Sequence, residues 1–242
     1  MARRADPGRA AVLHAIRAGL GRGPLSSDAR AELDERLRRH KASLIPAQGR
    51  PKAAERLAQF RAKAEAVACT VEALASADEI PSAVARYLRE RNLGPELALA
   101  PEPWLEALPW RREPMVLLKP GASRGAERAG LTAAFAGVAE TGTLVTASGP
   151  VHPATLNFLP EHHLVALRAR QVVGAYEDAW ALLRKARKRG RGFDMPRALN
   201  LITGPSRTGD IELVIQLGAH GPRALHILLL DDEAGADDGE TA

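Results

Sequence analysis

Apolar residues recur at helical spacing over the first sixty-odd positions and fall into short runs thereafter. Val12, Leu13, Ile16 and Leu20 share one face of a predicted helix that Gly21, Gly23 and Pro24 terminate. Ser27 or Asp28 is expected to cap a second helix carrying Leu33 and Leu37. A third begins near Pro51, a good first-turn residue, with Leu57, Phe60, Ala64 and Val67 as its stripe. All three are expected to pack on the main domain or on a partner. From residue 68 the pattern changes. "CTVEAL", "ELALA", "MVLLK", "TLVTA", "HLVAL", "RALNLI", "LVIQL" and "ALHILLL" read as strands, whereas "PSAVARYLRERN" and a segment from Tyr176 read as helices. Strands alternating with helices of this length predict an α/β fold, its sheet largely parallel and covered on both faces. The expected organisation is a helical region over 1–65, an α/β domain over 66–232 and a disordered acidic tail over 233–242.

Composition narrows the function classes. With 242 residues, 45% hydrophobic and 26% charged, the chain has material for a sizeable core and is not disordered throughout. Its single cysteine, Cys69, excludes an internal disulfide, a four-thiolate zinc site and any iron–sulfur cluster held by its own thiolates. No apolar run approaches ~18–20 residues, and Arg3 and Arg4 are not followed by an apolar signal core, so a cytoplasmic chain without a membrane span is expected. The net charge of +5 does not point to nucleic acid, because the arginines are spread along the chain. The densest run, "RKARKRGR" (184–191), closes the predicted helix from Tyr176, where cations complement the helix dipole.

Neither a dinucleotide fingerprint nor a P-loop is present. "GASRG" matches the Gly-x-Ser-x-Gly hydrolase pattern at Ser123, but Pro120 sits in the turn and no convincing buried helix follows. The histidines show no metal-ligand spacing. His162 and His163 are adjacent, which on a strand sends them to opposite faces, and they read as edge or loop residues. His220 differs: Gly218, Gly221 and Pro222 hold it in a tight turn after a strand, a frequent setting for a binding side chain.

Two further stretches carry candidate chemistry. In "VAETGTLV" (138–145), Glu140 lies between an Ala-rich, helix-like segment and the strand "TLVTA", where it is a surface charge, a cap or a site carboxylate. Thr141, Gly142 and Thr143 supply hydroxyls and backbone N–H groups suited to an anion. "TGPSRTGD" (203–210) follows "ALNLI", and in an open α/β sheet ligands bind beyond the carboxyl ends of strands. Gly204 permits close approach, Pro205 stiffens the turn, Ser206 and Thr208 supply hydroxyls, and Arg207 suits bidentate grip of a carboxylate. Asp210 caps a following helix or orients Arg207; a structural salt bridge in a turn is the other reading.

On "AETGTLV" (139–145), "RALNLITGPSRTGDIE" (197–212) and "LGAHGPRALHILLLDD" (217–232), in that order, the chain resembles the lactate utilization protein C family, whose core is the LUD domain. The resemblance implies a Rossmann-like, mostly parallel sheet with helices on both faces, similar to ribose-5-phosphate isomerase, glucosamine-6-phosphate deaminase and the CoA-transferases. It also implies a part in bacterial oxidation of L-lactate to pyruvate beside partner subunits that carry the iron–sulfur clusters, this chain being the cluster-free component. On that reading Arg207 clamps a small carboxylate, His220 exchanges a proton or hydrogen bond with its hydroxyl, and Glu140 orients His220. Two alternatives stand beside it: a free-standing enzyme acting on a sugar phosphate, folate or acyl-CoA through Glu140, and a scaffold whose N-terminal helices dock the partners without a ligand.

Overall fold

The computed structural model describes residues 7–21, 23–190, 192–208, 216–218 and 220–231. Two compact units divide the chain between Ser43 and Leu44. The first holds α1 (Pro7–Gly19) and α2 (Ser27–Arg39). The cap of α2 is Ser26, one residue earlier than the pattern suggested: its hydroxyl accepts from Ala29 N at 3.2 Å. Neither helix contains a buried residue, and Val12, Ile16, Leu20, Leu33 and Leu37 are all exposed.

The second unit begins with α3 (Ala53–Ala66), β1 (Thr70–Leu74), α4 (Ile80–Glu90), β2 (Glu96–Leu99) and the one-turn α5 (Pro103–Glu106). β3 (Leu117–Pro120), β4 (Ala129–Ala133), β5 (Ala136–Val138), β6 (Thr143–Ala147), β7 (His162–Arg168) and β8 (Val172–Val173) come next. α6 (Tyr176–Ala186), β9 (Lys188–Arg189), β10 (Gly192–Phe193), β11 (Leu199–Ile202), β12 (Arg207–Thr208), β13 (Gln216–Leu217) and β14 (Ala224–Leu230) complete it.

Six of these strands form a wholly parallel sheet in the order β1-β14-β7-β4-β2-β3. Alternation along the strands sorts its two faces. Leu164 and Ala166 of β7, with Leu228 and Leu230 of β14, join Leu97, Leu99 and Leu131 against Ile80, Val84, Tyr87 and Leu88 of α4. Val165, Leu167, Ile227 and Leu229 point the other way, onto Phe60 and Ala64 of α3. Helices therefore cover both faces. α3 shares its face with a second sheet, β11-β6-β5-β8, which contributes Leu144 and Val172 to that core and turns Ala136, Val138 and Val145 towards Ala179 of α6.

The second sheet departs from the sequence expectation. "TLVTA" and "ALNLI" pair with each other, antiparallel, with Leu144 opposite Ile202 and Val145 opposite Leu201; neither belongs to the parallel sheet. The Ala-rich stretch before Glu140, helical by propensity, is instead β4 and β5. Small residues are required there because the layers close tightly: a Cβ on Gly137 would come within 2.9 Å of both Leu167 and Phe60. Of "LVIQL", only Gln216–Leu217 is described, paired antiparallel with Arg207–Thr208. The acidic tail lies outside the described residues. No helix among the described residues is long and apolar enough to cross a membrane.

Candidate functional site

Thr203 directly follows β11, and its hydroxyl lies 2.7 Å from that of Thr143 at the start of β6. The two motifs singled out in the sequence therefore meet. Thr143 is fully buried, and its hydroxyl also bonds Thr141 Oγ1 at 2.7 Å and the Tyr176 phenol at 2.8 Å, a four-hydroxyl cluster. Both motif glycines serve the same packing need. Gly142 (φ 69°) and Gly204 (φ 81°) adopt the left-handed conformation, and a Cβ there would fall 2.3 Å from Ala64 N and 2.5 Å from Val67 O, respectively. The end of α3 is thus clamped between them.

Arg207 completes that clamp from outside. It is exposed, and Nη2 donates to the Val67 carbonyl at 3.2 Å, one of the orphan acceptors at a helix C-terminus. The guanidinium does not line the neighbouring cleft, so the carboxylate clamp expected of it is absent from this geometry. Cys69 lies behind the same loop; burial pushes its thiol up to about 11, against the opposing pull of the Gly204 backbone and the Arg207 charge.

The cleft, about 250 Å³, is formed by Asn157 and Phe158, by Leu201 to Ser206, by His220 to Pro222, and by His163 and Leu225. It unites Gly204, Pro205, Ser206 and His220, which the sequence proposed from separate motifs. Ser206 is held from both sides, its N–H donating to Pro222 O (2.8 Å) and its carbonyl accepting from Gly218 N (3.0 Å). His220 is exposed at the rim. Because His163 and Leu225 begin β7 and β14, the cleft opens at the amino ends of the parallel strands, not the carboxyl ends. The loop still follows the carboxyl end of its own strand, but that strand lies in the antiparallel sheet.

His163 escaped the sequence analysis as a site residue. Long-range pairing places it on the third of six strands, so it is central and fully buried; His162, on the opposite face, meets the Tyr87 phenol at 3.0 Å. His163 Nε2 bonds Thr132 Oγ1 at 2.8 Å, while buried Nδ1 has no hydrogen-bond partner among the described residues. Burial drives the ring pKa down to about 3, which keeps it neutral.

Glu140 does not line the cleft. It is buried after β5, its carboxylate within 3.2 Å of where a Gly49 Cβ would stand, and no bond joins it to His220. Asp210 lies outside the described residues, as does the side chain of Thr208. Ser123 donates to Glu127 at 2.9 Å in the loop after β3 and has no histidine partner among the described residues. Among those residues no three His, Cys, Asp or Glu side chains converge as a metal site.

Comparison with known proteins gives these residues a context. Residues 124–230, a span that contains every residue of the cleft, match the LUD domain model. An uncharacterized protein of Neisseria meningitidis is 38% identical over 102 residues, covering 42% of each chain. Lactate utilization protein C of Geobacillus thermodenitrificans is 34% identical over 109 residues, 44% of this chain and 45% of that one. The aligned stretch thus takes in less than half the length of these curated relatives. In fold, the chain is similar to the crystal structure of a DUF162 family protein from Deinococcus radiodurans. The TM-score is 0.54 and the identity 23%, covering 75% of this chain and 99% of that one.

Proposed function

We propose, for a chain that belongs to the LUD domain family through residues 124–230, that the protein is a component of L-lactate utilization and binds a small hydroxy-carboxylate in the cleft. One observation carries the binding half of this reading: a fully buried, neutral imidazole with an unpartnered nitrogen lines the same cleft as Ser206 and His220. In a neutral ring one nitrogen donates and the other accepts. The Thr132 hydroxyl serves either role at Nε2, which leaves Nδ1 for a ligand hydroxyl. Ser206 and His220 supply donors for the carboxylate, and Phe158, Pro205 and Leu225 supply apolar surface for a methyl group. The utilization half is supported by relatives named lactate utilization protein C at 33–34% identity.

A second reading concerns partners. The exposed apolar residues of α1 and α2, from 44% (Leu33) to 68% (Leu37), favour docking of other subunits, which on this proposal carry the iron–sulfur clusters. Nothing in the geometry favours a free-standing enzyme working through Glu140. The growth test uses a host strain lacking the gene. Failure on L-lactate but not on pyruvate, rescue by the wild-type chain and no rescue by a folded Ser206→Ala/His220→Ala variant are expected. Normal growth of the deletion strain on L-lactate would overturn the proposal. Loss of co-purifying iron–sulfur proteins on removing residues 1–43, with lactate binding retained, would support docking.

A further inference from the structure

The two larger sheets of the second unit end in four edge strands, and three of these carry a feature that discourages a further strand. β1 bears Glu72 at its centre, bonded to Arg86; β3 ends in Lys119 and Pro120; β8 is two residues long. β11, "LNLI", has no charge and no proline, and its Leu201 is 47% exposed. Apolar surface continues beside it, since Phe158, 44% exposed, lines the cleft together with Leu201. An uncharged, apolar edge of this kind is a template for another strand.

The backbone fixes which groups that edge offers. In an antiparallel pair, alternate residues turn their N–H and C=O towards the neighbouring strand and the others turn them away. Ser148 N–H donates to the Ala198 carbonyl at 2.9 Å, so Ala198, Asn200 and Ile202 face β6, and Leu199 and Leu201 face outwards. Val145, opposite Leu201, agrees with this, because its carbonyl is turned the other way and accepts from Phe135 N at 2.8 Å. Among the described residues nothing bonds the outward N–H and C=O groups of Leu199 and Leu201. Two outward residues flanking one inward residue make the edge complementary to itself. In an antiparallel pair of β11 strands related by a twofold axis, Leu199 stands opposite Leu201 of the second copy, Leu201 opposite its Leu199, and Asn200 opposite its own counterpart. Both leucine pairs then exchange N–H···O bonds in each direction, with all four leucine side chains on one face and the asparagines on the other.

We propose that β11 is the interface of a symmetric homodimer, in which a second copy of this chain adds its own β11 and joins the two antiparallel sheets into one. The interface is isologous, and with no charge on the strand it relies on backbone pairing and leucine contact. Because Leu201 lines the cleft, Leu199 of the second copy stands at the cleft's margin, yet the assembly does not depend on what the cleft binds. Sedimentation equilibrium of the full chain at tens of micromolar tests it, and a dimer is expected. Leu201→Pro removes an outward N–H and leaves the bonds to β6 in place, and Leu201→Lys charges the edge; each should give a monomer with wild-type circular dichroism. If Leu201→Pro does not fold, the Lys variant carries the comparison. Register is read by Asn200→Cys: facing Cα atoms in such a pair lie about 4.5 Å apart, within reach of a disulfide, and buried Cys69 does not compete. With oxidised glutathione this variant should form a covalent dimer many-fold faster than Lys188→Cys, an exposed control. A monomeric wild type, a dimer that persists in folded Leu201 variants, or cross-linking of Asn200→Cys no faster than the control would overturn the assignment.

Discussion

Acidification from about pH 7 to about pH 5 charges His163 and His226 in the unfolded chain and leaves both neutral in the native one. Burial lowers His163 from 6.5 to about 3 and His226 from 6.5 to about 4. The folded values lie below the unfolded one, so the unfolded state binds more protons throughout this interval. The stability these groups contribute is complete above the unfolded value and is lost as pH falls towards the folded values. Over the two pH units each group costs about 2 kcal/mol, a loss of about 4 kcal/mol together. His162, also lowered by burial, adds in the same direction. His163→Gln keeps a polar partner for Thr132 and removes one titration, so its loss between the same pH values should be about 2 kcal/mol smaller. Urea denaturation of both proteins at both pH values, read as the change in midpoint at constant slope, measures this. Equal pH dependence in wild type and variant would refute the buried, neutral His163 on which the cleft proposal depends.

Three further outcomes follow from the clamp around α3. Gly142→Ala forces a left-handed alanine and a Cβ 2.3 Å from Ala64 N, so it should destabilise by at least about 3 kcal/mol in chemical denaturation. Arg207→Ala removes one exposed hydrogen bond to Val67 and should cost less than about 1 kcal/mol while leaving ligand affinity intact; loss of binding would restore the carboxylate-clamp role. Cys69, buried with its thiol pushed up to about 11, should resist alkylation near pH 8 until the chain unfolds, as intact-mass spectrometry would show.

Much of this architecture is legible in the hydrophobic pattern, and the exceptions have identifiable causes. β7 and β14 stand out as nearly continuous apolar runs because each is buried on both faces, and α4 and α6 show an apolar stripe against one layer. β4 and β5 do not, since Gly130 answers to the closeness of Pro160, and Gly137 to that of Phe60 and Leu167, rather than to strand propensity. A buried run also does not reveal which sheet it joins, which is why "ALNLI" suggested a parallel strand and a crevice at the wrong end. The loops containing Ser206 and His220 announce themselves by their Gly and Pro residues. His163 does not, because its burial comes from β4 and β14 pairing on either side.

Titration of the full chain with L-lactate, followed through the ring resonances of His163 and His220, tests the central claim most directly. Saturable shifts at both rings of the wild type, with the shift at His163 abolished by Ser206→Ala/His220→Ala in a protein of unchanged melting temperature, are the predicted result. Resonances that stay unmoved at saturating L-lactate in the folded chain would contradict it.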